Sequence, residues 1–151
     1  LLEVDTILHG QGRLALERSD ADVLVVVAYG ELLTPDILAL PARGAVNLHF
    51  SLLPRYRGAG PVQHALLDGC SETGVTTMLL DEGMDTGPIL RSLAVAIEPT
   101  EDAGTLGARL RATEQRPSAG HEAQRAEHNR DSGGDEREPR PAARGAVICG
   151  R

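Results

Sequence analysis

Six consecutive apolar residues, Val23 to Ala28, stand in an otherwise mixed sequence without one alternating polar position. That absence of alternation is the pattern of a parallel strand covered on both faces. Such a strand needs flanking helices, so this one stretch predicts an α/β sheet.

The neighbouring segments fit the same plan. A helix-like stretch from Gly12 to Arg18 precedes the strand, and Asp20 and Asp22 bracket its entry. Thr34, Pro35 and Asp36 then read as a helix start, with proline at the first helical position and a carboxylate in the first turn. Pro41 and Gly44 close that helix. Ala45 to His49 predicts a second strand, Gly60 to Leu67 a helix, Gly74 to Leu80 a third strand and Ile89 to Ile97 a fourth. A last helix is expected from about Thr105 to Ala112, with Thr105 as its cap. Beyond Thr113 the chain turns to Glu, Arg, Asp, Gly and Pro through Arg144, too poor in apolar residues to form a core. Its charges largely cancel, which makes it a poor electrostatic arm.

Composition narrows the function classes. With 151 residues one compact unit is expected, and with aromatics at 2%, only Tyr29, Phe50 and Tyr56, aliphatic side chains must fill its core. All 15 basic residues are arginine, a mark of coding bias rather than mechanism, and the net charge of −7 argues against a nucleic-acid-binding module in its own right. Cys70 and Cys149 are too few and too far apart for a disulfide framework, and no zinc-ligand spacing is present. No apolar run is long enough to span a bilayer. A soluble, monomeric protein of a reducing cytoplasm is expected, with an organelle as the alternative because the chain opens on Leu1 rather than methionine.

Two segments carry chemistry. In the strand ending Val46-Asn47-Leu48-His49, side chains two apart share a face, so an amide and an imidazole point together. In an open α/β sheet the carboxyl end of a strand is where ligands bind. The bland reading is that Asn47 caps turn backbone and His49 is a satisfied, half-buried histidine. The second segment, Asp81-Glu82-Gly83-Met84-Asp85-Thr86-Gly87-Pro88, is too rich for a minimal hairpin. Its small residues permit close backbone approach, and a carboxylate held there can serve proton transfer; a solvated turn is the alternative. It is not a calcium loop, since Thr86 and Ser92 stand where glycine and glutamate are required. Gly10 and Gly12 are an incomplete dinucleotide fingerprint, and His121-Glu122 lacks the second histidine of a zinc-protease helix.

Taken together, NLHFSLLPRYRG from Asn47 to Gly58 and DEGMDTGP from Asp81 to Pro88 resemble the folate-dependent formyltransferase family. Within that family AGPVQHALLDG, TGVTTMLLDEG and DTGPIL look most like the branch whose acceptor is initiator methionyl-tRNA. The resemblance covers about Ala21 to Arg111, with Gly60 in place of the commoner alanine. It implies an open, mostly parallel, Rossmann-like sheet flanked by helices, present in part, with residues 1–113 as a partial catalytic domain; residues 114–151, which do not share the resemblance, are read from their composition as a low-complexity, disordered tail. It also implies 10-formyltetrahydrofolate as the formyl donor, no metal, and Asn47, His49 and Asp85 as the catalytic set. The folate would lie against Tyr29, Glu31, Leu33, Ser51, Leu52, Glu82 and Gly83, largely through main-chain groups. Ser51 is read as bonding the turn backbone and Cys70 as packing near a helix end, neither as a nucleophile. Arg55 and Arg57 stand open between facing the tRNA acceptor end and simple solvation.

Complete members of the family carry a further strand-helix-strand before this region and a small β-barrel domain after it. The isolated chain is therefore expected to formylate tRNA weakly or not at all. Two other readings remain: another folate-dependent member, such as a sugar-nucleotide formyltransferase or a formyltetrahydrofolate deformylase, and a noncatalytic folate-binding remnant.

Overall fold

The computed structural model describes residues 6–114 and 144–149. The apolar run opens the sheet: β1 (Val23–Val27) lies between β2 (Ala45–His49) and β5 (Gly145–Cys149), and β2 is followed outward by β3 (Glu72–Leu79) and β4 (Ile89–Ala96). The pairings of β1 with β2 and β5 are parallel, while those of β2 with β3 and β3 with β4 are antiparallel. Only β3 therefore runs against the other strands, and the sheet is mostly parallel in direction.

Among the described residues four helices cover it: α1 (Gly10–Ser19), α2 (Pro35–Leu38), α3 (Pro61–Leu67) and α4 (Ala103–Glu114). One core joins Leu16 of α1 and Ile37 of α2 to Leu24 and Val26 of β1 and Ala45 of β2. A second joins Val62 of α3 and Leu106 and Leu110 of α4 to Val75 of β3. Because α3 and α4 pack on β3, the face of β1 that carries Val23, Val25 and Val27 is only half-buried. That corrects the expectation of a strand covered completely on both sides.

Arg13 of α1 pairs with Asp36 of α2 and Glu17, tying the two helices together at the surface. Pro35 occupies the first helical position behind Thr34, as its spacing predicts. The cap of α4 is different from the expected one. Asp102 Oδ1 accepts the Thr105 N–H at 2.8 Å, and Thr105 Oγ1 accepts the Asp102 N–H at 3.0 Å. This reciprocal arrangement satisfies two orphan donors at once, because a carboxylate one position before the helix is better placed than a hydroxyl inside it. Asp102→Ala is expected to lower the thermal midpoint by about 3 °C, read by circular dichroism, whereas an unchanged midpoint would show the cap to be idle.

The fifth strand is the other correction. Residues 145–149 fall inside the expected tail, yet they pair in register from Val23↔Gly145 to Val27↔Cys149. The backbone N–H of Arg144 donates to Asp22 Oδ2 at 2.8 Å, and its guanidinium meets Asp20 at 2.9 Å. The two aspartates read as bracketing β1 thus also receive its neighbour. The rest of the expected tail, 115–143 with His121 and Glu122 and also 150–151, lies outside the described residues, as do residues 1–5. Among the described residues no helix is long and apolar enough to cross a membrane.

Candidate functional site

β2 delivers Asn47 and His49 to one side of the sheet, as period-two geometry requires. The route by which Asp85 reaches them is less simple. β3 ends with Leu79 beside Val46, and the Leu80 N–H donates to the Ala45 carbonyl at 2.8 Å, so the following loop starts next to the beginning of β2. It must fold back along the strand to meet His49 at the other end, which is why eight residues are needed. Its glycines are fixed by close approach: a Cβ on Gly87 would lie 2.0 Å from the Leu79 carbonyl oxygen, and one on Gly83 2.0 Å from Thr86 Oγ1. Asp81 Oδ1 braces the bend by accepting the Gly83 N–H at 3.0 Å and the Thr86 hydroxyl at 2.7 Å.

Two N–H donors and an imidazole nitrogen converge on Asp85. Asn47 Nδ2 donates to Oδ1 at 3.1 Å, the Gly58 N–H donates to Oδ2 at 2.8 Å, and His49 Nδ1 lies 3.4 Å from the same Oδ2. The side chains of His49 and Asp85 are 7% and 11% exposed, so the contact is shielded but open on one side. A carboxylate only accepts, so the Asn47 nitrogen must face it; the amide's second N–H is not used by this bond. His49 Nε2 lies 2.7 Å from the main-chain carbonyl of Tyr56, which can only accept, so this nitrogen carries its proton. The nitrogen left toward Asp85 is Nδ1.

These groups lie in a cleft of about 360 Å³, within the range of small-molecule sites. Its walls come from the segment after β1, including Tyr29, Gly30, Glu31, Leu32 and Leu33, from the end of β2 with Gly58 to Pro61, and from Leu80 to Asp85 without Glu82. Of the sequence-predicted positions, Asn47, His49, Asp85, Tyr29, Glu31, Leu33 and Gly83 border this cleft. Ser51, Leu52 and Glu82 are not among its lining residues. Ser51 is fully buried, its hydroxyl donating to the Arg55 carbonyl at 2.6 Å and its own carbonyl accepting from Thr76 at 2.7 Å. Leu52 packs against Gly74 of β3. Glu82 is exposed at the outside of the bend.

Tyr29 and Glu31 border the cleft while serving the segment before α1. The Tyr29 hydroxyl accepts the Ile7 N–H and shares a 2.9 Å bond with Thr6, and the Thr6 hydroxyl donates to Glu31 at 3.0 Å. Burial pushes the Tyr29 phenol up, whereas bonding to Tyr29 and then Thr6 lowers the Glu31 carboxyl.

Sequence reasoning passed over the main-chain half of the site, the Tyr56 carbonyl and the Gly58 N–H, because backbone groups carry no residue signature. The signal available was conformational. Ala28, Tyr56 and Asp85 take left-handed φ of 49°, 55° and 50°, and Gly30, Gly58 and Gly60 are left-handed as well. Non-glycine residues hold such angles only where surroundings enforce them; Ala28 and Asp85 line the cleft, and the Tyr56 carbonyl holds His49.

Tyr56 also titrates unusually. Its hydroxyl bonds Cys70 Sγ at 3.1 Å and donates to Asp68 at 2.7 Å. Those bonds, Cys70 first and Asp68 next, push the phenol up to about 12. The folded chain therefore keeps a proton that the unfolded chain releases near 10.0, so the associated stability is present below that pH and is lost as pH rises toward about 12. Phenolate absorbance should rise well above the free-tyrosine range, with the urea midpoint falling over the same interval. A rise at the ordinary value would contradict the bonding described.

The chain is similar in sequence and fold to known proteins. Residues 12–118 match the formyl transferase family model. The chain is 55% identical over 96 residues to a methionyl-tRNA formyltransferase of Synechococcus sp. (strain JA-3-3Ab), covering 64% of this chain and 30% of that protein. It is 48% identical over 105 residues to the one from Cutibacterium acnes, covering 70% and 33%. Among solved structures, phosphoribosylglycinamide formyltransferase from Bacillus halodurans superposes with a TM-score of 0.63 at 36% identity, over 70% of this chain and 55% of that one. The chain thus spans about a third of the length of the methionyl-tRNA formyltransferases it matches. Because the matched range contains every residue of the cleft, fold, sequence and site agree that this chain belongs to the formyl transferase family.

Proposed function

We propose that the cleft binds 10-formyltetrahydrofolate and promotes transfer of its formyl group to an amine, the amine being that of initiator methionyl-tRNA in the complete protein. The observation that carries this reading is the meeting of Asn47, His49 and Asp85 around one shielded opening. Support for the acceptor comes from relatives that are about half identical to this chain and are named methionyl-tRNA formyltransferases.

The side chains suit the donor and the reaction. An apolar wall with Leu33, Phe50 and Met84, beside the other lining residues from Ala28 to Leu32, fits a flat heteroaromatic ring. As the acceptor nitrogen bonds to the formyl carbon, negative charge grows on the formyl oxygen, and the free N–H of Asn47 stabilises it. His49 has only Nδ1 for the reacting groups, shared with Asp85, since Nε2 is held by Tyr56. Asp85 and His49 Nδ1 together take the proton lost by the amine and return it to N10 of the folate as the carbon–N10 bond breaks. No side chain needs to become acylated. Among the described residues no group of three or more His, Cys, Asp or Glu side chains is gathered as if around a metal ion.

Calorimetric titration of the purified chain with a non-transferring 10-formyltetrahydrofolate analogue tests the binding step. A dissociation constant below about 1 mM is expected, and heat no greater than dilution at that concentration would defeat the folate reading. Turnover assayed side by side with methionyl-tRNA, an amino sugar nucleotide and water then separates the acceptors; formate release without an amine would mark a deformylase, and binding without turnover a remnant.

A further inference from the structure

The turn after β2 contains a feature that the catalytic set does not use. Tyr56 sits in the left-handed region at φ 55°, an uncommon place for a bulky aromatic residue. Its side chain is secured on several sides. The hydroxyl donates to Asp68, the C-cap of α3, at 2.7 Å; the ring stacks on His64 of α3 at 6.3 Å between centroids and 9° between planes; and the Arg55 guanidinium lies 5.2 Å above the ring. On the main chain, two successive carbonyls both accept: that of Arg55 from the Ser51 hydroxyl and that of Tyr56 from His49 Nε2. Two residues on, the Gly58 N–H holds Asp85. One short turn therefore grips both members of the His49 and Asp85 contact, and its only aromatic side chain fastens it to α3.

We propose that Tyr56 is a positioning residue for His49: its carbonyl captures the Nε2–H, and its side chain, moored to Asp68 and His64, keeps that carbonyl in place so that Nδ1 faces the reacting groups. The proposal rests on the formyl-transfer reading for its consequence, but not for its geometry. A histidine whose far nitrogen is tied to a fixed acceptor is confined to one tautomer and one ring orientation. Loosening the mooring frees the carbonyl, and both are lost. The dependence is directional: Tyr56 is not among the residues that line the cleft, so its removal acts on the rate of transfer rather than on folate binding.

The test is imidazole nitrogen NMR on the 151-residue chain near neutral pH, following solvent exchange of the His49 Nε2–H. Tyr56→Ala is expected to accelerate that exchange by at least roughly tenfold and to mix the two neutral tautomers, with backbone shifts of β1 and β2 unchanged. Tyr56→Phe, which keeps the stack and loses the hydroxyl bonds, should fall between, and Asp68→Asn, which keeps an acceptor, should stay near the parent. In single-turnover assays the Tyr56→Ala rate should fall while the folate analogue's dissociation constant moves by less than about twofold. Exchange in Tyr56→Ala within about twofold of the parent would overturn the proposal. Should that variant not fold, unchanged exchange in Tyr56→Phe overturns it equally. Exchange needs no turnover, so a chain that transfers no formyl group would count against the proposed reaction while leaving the role of Tyr56 to the spectrum.

Discussion

Asn47→Ala is expected to slow formyl transfer by roughly 10²–10³-fold, or about 2.7–4 kcal/mol, the loss that follows removal of one donor to a developing oxyanion. Two consequences of the geometry reinforce each other. The variant lacks the N–H left over for the formyl oxygen, and Asp85 loses the 3.1 Å bond from Nδ2 that helps hold it over His49. Asn47→Asp should be no better, because a second carboxylate facing Asp85 replaces attraction by repulsion. Single-turnover measurements, with the protein in excess over donor, can register slow transfer. A rate in Asn47→Ala within about threefold of the parent would remove the amide from the mechanism.

A large effect on stability is expected at Gly74. A Cβ there would stand 2.2 Å from the Leu93 carbonyl oxygen and 2.5 Å from Leu52 Cδ2. The first contact is with backbone in the β3–β4 pairing, where Gly74 faces Ala94, and cannot be relieved by rotating a side chain. The second presses on the turn that follows His49. Gly74→Ala should cost more than about 4 kcal/mol, a large part of the margin of an ordinary domain. Urea denaturation should show a chain largely unfolded without denaturant. Gly69→Ala is the matched control. Its φ is +64° but nothing lies within 4 Å of the added carbon, so only the left-handed cost of about 1 kcal/mol applies. Equal losses at the two positions would show that crowding is not the cause.

The contrast between those glycines also shows what a sequence reveals. Val23 to Ala28 announces a buried strand because burial is written in side-chain type, and Asn47 and His49 announce a shared face because strand period is geometric. The density of glycine and carboxylate from Asp81 to Pro88 likewise marked a built loop. Its path back along β2 was hidden, since it depends on where β3 ends relative to Val46. Ser51 and Leu52 lie in the motif yet face away from the cleft: a turn must anchor itself before it can present anything, and these two form the anchor. β5 was masked by its setting, five residues after a long charged stretch, and only its pairing with β1 reveals it. The contributions of the Tyr56 carbonyl and the Gly58 N–H belong to groups every residue possesses, so composition could not single them out.

The site is thus half side chain and half backbone, assembled from three segments that the sheet brings together. A folate analogue carrying a ¹³C-labelled formyl group, bound to the chain and examined by isotope-edited NMR, puts this to the most direct trial. The labelled formyl group should show contacts to the Asn47 amide and the His49 ring and should shift the Gly58 N–H that reports on Asp85. A label that binds yet contacts none of these three would contradict the assignment of this cleft to formyl transfer.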